Sequence, residues 1–96
     1  MGDEHLITKT DRDFDADRRK AYWFSFKMVE KLFKNRRKSH WSTVGCDYLL
    51  DRLIEELEEL KEARGGSADE IISECADVGN FAMMIADNVC NREGWK

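Results

Sequence analysis

The feature that most constrains this chain is a Gly65-Gly66-Ser67 break with an acidic pair at helical spacing on each side of it. The pairs are Glu56-x-x-Glu59 and Glu74-x-x-Asp77. Counted from Gly66, Glu59 lies seven residues before and Glu74 eight after, while Glu56 lies ten before and Asp77 eleven after. With a rise of about 1.5 Å per residue, two helices folded back at this break bring the pairs to matching levels. Four carboxylates then face one another across a helical hairpin. Such a cluster repels itself unless a cation sits in it, and hard divalent ions take oxygen ligands. A metal site is the leading expectation.

The chain has no proline and no alternating β-branched run, so the expected fold class is all-α: a helical hairpin plus a flanking helix. Residues 1–16 read as a polar lead-in and 17–96 as a single helical domain. The first helix is expected from Asp17 to Arg37, with Ala21, Ser25, Met28, Val29, Leu32 and Phe33 on one side. Lys34, Arg36, Arg37 and Lys38 close it with positive charge at the negative end of its dipole. Trp23 falls on the opposite, polar side, where a large aromatic points to a partner surface. After a connector at 39–43, a second helix runs from Val44 to Arg64, with Leu50, Leu53, Ile54, Leu57 and Leu60 as its apolar stripe. Gly65 reads as its stop. Ser67 and Glu70 read as a capping box that opens a third helix, Ala68 to Val89. That helix is apolar on more than one side, through Ile71, Val78, Phe81, Met83, Met84, Ile85 and Val89.

With 38% charged residues in 96, the core of a lone subunit is modest, and association is expected to bury more apolar surface. The net charge of -4 argues against a dedicated nucleic-acid binder. The cysteines Cys46, Cys75 and Cys90 show no C-x-x-C spacing, which points to reduced thiols and a cytoplasmic location. No stretch has the length or apolarity to span a membrane, and no apolar signal core opens the chain.

A helical wheel sorts the acids. Glu55, Glu58 and Glu62 point away from the Leu stripe, as a solvated face does. Glu56 falls at the edge of the stripe beside Leu49 and Leu60, and Glu59 one step further round. Glu74 projects within the arc of Ile71, Val78 and Ile85, and Asp77 borders it. A carboxylate on an apolar face is costly unless paired, protonated or metal-bound. An arginine or lysine from the first helix is the structural alternative to a metal. Four carboxylates holding one or two Mg²⁺ ions would receive a polyphosphate, and Mn²⁺ can stand in for Mg²⁺. Glu55, beside the cluster, is a candidate to orient the attacking water.

At these residues the chain resembles the MazG-like branch of the all-α NTP pyrophosphatase superfamily, whose signature is E-x-x-E, a variable gap, then E-x-x-D. The doubled Glu55-Glu56, the Leu60 after Glu59 and the Val78 after Asp77 extend the likeness, which covers about residues 39–90. The resemblance implies Mg²⁺-dependent hydrolysis of a nucleoside triphosphate between its α and β phosphates, giving a monophosphate and pyrophosphate. Deoxynucleotides (dNTPs) are the implied substrates and nucleotide-pool house-cleaning the implied role. It assigns Glu56, Glu59, Glu74 and Asp77 as metal ligands, and it implies a homodimer or homotetramer with pockets near subunit contacts. Arg92 and Lys96 are the basic residues after the last signature helix, so phosphate contacts are expected from Lys38, Arg37, Lys61 or another subunit.

Trp41 reads either as a stacking platform for the base or as a hydrophobic plug at the hairpin end. His40 reads as a loop residue rather than a base. Asn80 and Asn88 read either as sugar or base contacts or as polar interface residues, and Trp95 as a tail residue that is disordered or closes a neighbouring pocket. The competing expectation is a non-enzymatic helical oligomeric module. It would bind nucleic acid or a protein through the basic clusters at Arg18-Arg19-Lys20 and Lys34–Lys38. Its affinity should fall steeply with salt and should not need the acidic quartet.

Overall fold

A computed structural model describes residues 10–92 and Trp95. It contains three α-helices, α1 (Asp11–Lys34), α2 (Cys46–Ala63) and α3 (Ala68–Arg92), with a 3-10 turn at Trp41–Thr43 between the first two. No strand occurs among the described residues, so the chain is all-α there. α2 and α3 form the hairpin, and α1 packs on α3. α3 is thus covered from two sides, as its broad apolar surface requires.

The hairpin turn follows its sequence closely. Ser67 N–H donates to Glu70 Oε1 at 2.8 Å and Glu70 N–H donates to Ser67 Oγ at 3.1 Å, a reciprocal capping box. These bonds hold the Glu70 carboxyl below its usual range. The glycine that matters is Gly66. A Cβ there would stand 2.8 Å from Glu70 Oε1 and 3.2 Å from Ala63 O, whereas one at Gly65 meets nothing within 4 Å.

α1 begins six residues before the expected Asp17, because Thr10 caps it. Its Oγ1 accepts from Asp13 N–H at 3.1 Å, and Asp13 accepts from Thr10 N–H at 3.3 Å. Residues 11–16 therefore belong to the helix and not to a lead-in; residues 1–9 of the expected lead-in lie outside the described residues. The other end comes earlier than expected, at Lys34, where Arg36 Nη1 donates to Phe33 O at 2.8 Å. The face α1 buries also differs from the expected one. Phe24, Lys27, Met28, Lys31 and Leu32 are half-buried, while Ala21, Ser25, Val29 and Phe33 are exposed. Gly79 of α3 decides this register: a Cβ there would come within 3.0 Å of the Phe24 ring and 3.4 Å of Met28 Sδ. The missing side chain makes the seat for α1.

α2 divides its apolar residues between two directions. Cys46 and Leu49 are buried and Leu53 and Leu60 half-buried toward α3, but Leu50, Ile54 and Leu57 are exposed. Among the described residues, the buried apolar ones are Cys46, Leu49 and Ala76, against eleven exposed large ones that include Trp23, Phe26 and Phe33. Such a balance leaves apolar faces open for another surface.

The connector is pinned from below by Asn88. Fully buried, its Nδ2 donates to Trp41 O at 3.1 Å and to Val44 O at 3.3 Å. Asn88→Ala removes the amide donor from both carbonyls, of which Trp41 O keeps the Val44 N–H at 3.2 Å, at about 0.5–1.5 kcal/mol for each bond lost. Thermal melting followed by circular dichroism is expected to fall by roughly 10 °C. An unchanged melting temperature would show that water replaces the amide.

Candidate metal centre

Both arms of the hairpin deliver carboxylates to one place. Glu56 and Glu59 from α2 and Glu74 from α3 offer oxygens that all lie within 4.8 Å of one another. Glu56 is 5% exposed, deeper than its edge position on the wheel implies, because α3 closes over that edge. Glu74 is half-buried and Glu59 exposed. Burial, followed by the neighbouring Glu59 and Asp77 carboxylates, pushes the Glu56 carboxyl up, against a smaller opposing pull from Arg52. Burial, then Asp77 and Glu59, likewise push the Glu74 carboxyl up. Both shifts express one condition: like charges held together and partly out of water.

Asp77, the fourth member of the quartet, stands between this triad and α1. On one side its carboxylate neighbours Glu74 and helps to push that carboxyl up. On the other its Oδ2 lies 3.1 Å from Lys31 Nζ, which also donates to Ser73 Oγ at 2.9 Å. The basic partner from the first helix, which the sequence left open as an alternative to a metal, is therefore present, but it engages Asp77.

Glu56, Glu59 and Asp77 line a cleft of about 690 Å³ between α1, the connector and the hairpin. Its walls bring Lys38, Trp41 and Asn80 to the carboxylates, together with Arg36 of the basic cluster and with Lys31, Arg52 and Tyr48, which the sequence did not single out. Arg52 pairs with Glu55 and lies 3.2 Å from Glu56 Oε2, with its guanidinium over the Phe81 ring. Lys31 and Arg52 are half-buried only because of the way the helices pack, and nothing local in the sequence marks them as partners of the acids.

Other expected residues fall elsewhere. Glu55 is exposed and held by Arg52, and Lys61 is exposed in the last turn of α2, away from the cleft lining. Asn88 spends its amide on the connector, as described. Asn80 is 4% exposed and donates from Nδ2 to Met28 O at 3.0 Å, while its Oδ1 has no partner. Trp41 is half-buried. Its indole N–H donates to Asp87 Oδ2 at 3.0 Å, and its ring stacks on His40 at 4.0 Å between centroids. His40 Nδ1 accepts from Ser42 N–H at 3.1 Å and so caps the 3-10 turn. Trp95 Nε1 donates to Asp47 Oδ1 at 2.7 Å at the start of α2.

No helix among the described residues is long and apolar enough to cross a membrane. No protein-family model, curated protein or solved structure matches this chain.

Proposed function

We propose that this protein is a Mg²⁺-dependent nucleoside triphosphate pyrophosphohydrolase of the MazG-like kind. It adds water across the α–β anhydride of a nucleotide, preferably a deoxynucleotide, and releases a monophosphate and pyrophosphate. The observation that carries this reading is the convergence of Glu56, Glu59 and Glu74 beside a cleft whose opposite walls are basic and aromatic. The donor set suits the ion: it is all oxygen, it comes from two helices, and it lacks the sulfur and imidazole donors that zinc favours.

Glu56, Glu59 and Glu74 would hold the ion, with Asp77 as the fourth ligand once it leaves Lys31. A bound Mg²⁺ supplies charge neutralisation for the phosphates and an acidified water. Lys38 and Arg36, at the cleft wall, can take the phosphate charge at the far end. Trp41 offers the base its ring face away from His40, while its indole bond to Asp87 fixes the ring plane. Glu55 remains the candidate to orient the attacking water, on release from Arg52. Lys61 and Asn88 have no part in this arrangement. We place the protein in the cytoplasm, as a homodimer or homotetramer with a house-cleaning role.

The binding-module alternative rests on the basic clusters. Both guanidiniums of Arg18 and Arg19 are already engaged by Asp15, which weakens it. The deciding assay is pyrophosphate release from a panel of dNTPs and NTPs, with Mg²⁺ and with EDTA. Release with Mg²⁺ and none with EDTA is expected. Absence of turnover on every nucleotide would move the binding module to the front.

A further inference from the structure

Lys31 is the cation that α1 supplies to the acidic quartet, beside Arg52, which reaches Glu56 from within α2. It comes from α1, outside the hairpin that carries all four acids. Its ammonium lies between Asp77 Oδ2 at 3.1 Å and Ser73 Oγ at 2.9 Å, with the Lys31 and Asp77 side chains about one-fifth exposed. The remaining three carboxylates are the ones whose oxygens converge. The quartet is thus divided into a triad and an ion pair. An independent sign that this wall receives a ligand is Asn80, one turn beyond Asp77. It lines the same cleft, is 4% exposed, and leaves Oδ1 without a donor.

We propose that Lys31 is a resident counter-ion which a divalent cation must displace from Asp77, so that Lys31 sets the cation affinity of the site. This rests on the cation-site reading above. A divalent ion at the triad and an ammonium on Asp77 repel each other, and a partly buried setting screens that repulsion less than water does. Asp77 Oδ2, the oxygen at 3.1 Å from the ammonium, cannot serve both as closest partner. When the cation enters, Asp77 rotates toward Glu74 to become its fourth carboxylate, and the ammonium is released into the cleft beside Arg36 and Lys38. In the cation-free chain, Lys31 limits the repulsion within the quartet and keeps α1 seated on α3. Its charge therefore works in two directions: it steadies the empty fold and weakens cation binding.

The test is Mn²⁺ binding by electron paramagnetic resonance or calorimetry, on wild type, Lys31→Met and Lys31→Arg. Helical circular dichroism serves as the folding control. Lys31→Gln, which keeps a donor for Ser73 and Asp77 without the charge, replaces Lys31→Met if that variant fails to fold. Removing the charge is expected to tighten Mn²⁺ binding by about tenfold, as for loss of one partly screened unit charge beside a dication. Lys31→Arg should stay near wild type. In EDTA the neutral variants should melt lower than wild type, and their gain on adding Mn²⁺ should be larger. A lysine that only docks α1 predicts the opposite sign, because loosening α1 would disperse the ligands. Equal or weaker Mn²⁺ binding by a folded neutral variant, with wild type still binding, overturns the role of Lys31 and leaves the cation site standing. No Mn²⁺ bound by any of the proteins overturns both.

Discussion

Glu74→Gln is expected to abolish Mg²⁺-dependent pyrophosphate release while leaving the helical content unchanged. Groups one shell out from a metal already cost about 10–100-fold when removed, so loss of a direct ligand should exceed about a hundredfold. The fold should survive because the substitution keeps the side chain's size and relieves repulsion. Burial, Asp77 and Glu59 push the Glu74 carboxyl above its ordinary value near 4.5. A carboxyl raised in the folded state destabilises the fold when ionised. That penalty is fully present above the raised value and disappears as pH falls through it toward about 4.5. Glu56 acts in the same direction from α2, while Lys31 from α1 opposes the shift of Glu74. Without divalent cation, wild type should therefore melt higher as pH is lowered from neutral toward that range. Glu74→Gln should gain less, and saturating Mg²⁺ should flatten the wild-type rise. Retained turnover in a folded Glu74→Gln protein would take Glu74 out of the metal site.

The second large effect concerns association. Phe26 and Phe33, 69% and 62% exposed, share with Trp23 and Val29 an outer groove on α1. Lys27 and Glu30 also lie along this groove, 3.7 Å apart. In an antiparallel pair of α1 helices, each Lys27 can face the partner subunit across the axis at the level of Glu30, so the face is self-complementary in charge. The double change Phe26→Gln with Phe33→Gln keeps both charge and helix propensity. Each Phe removed from water is worth about 1.5–3 kcal/mol. A two-fold contact counts both changes twice, so the dissociation constant should rise at least about a thousandfold. Light scattering should show an assembly for wild type and an 11.3 kDa single chain for the variant. The inner face of α1, with Phe24, Met28 and Leu32, is untouched, so its helicity should persist. A wild type that is already a single chain would sink the assembly, and an assembly that survives both changes would place the contact on Leu50, Ile54 and Leu57 of α2 instead.

Much of the hairpin was legible because its signals are local. The turn at Gly66, the Ser67–Glu70 box and the seven-eight spacing of the acids follow from helical rise and capping, which need only neighbours in sequence. Glu56, Glu59 and Glu74 met for that reason. The start of α1 was misplaced although its signal was local too: Thr10 and Asp13 form a capping box at the spacing that was recognised at Ser67 and Glu70. Asp11, Asp13, Asp15 and Asp17 follow within seven residues, and each is a capping residue type, so residue type alone does not single out Thr10.

Sequence alone thus determined the helix type, the fold-back and the level at which the carboxylates face one another, since these depend on periodicity and short-range bonds. Tertiary structure decided which face each helix buries. A missing side chain at Gly79 set the seat of α1, and that seat turned Val29 and Phe33 outward and Lys31 inward. It also decided that Asn88 holds the connector and that Asp77 is paired with Lys31. These outcomes join residues 44 to 55 positions apart, and they depend on the distance between helix axes, a quantity no single segment encodes.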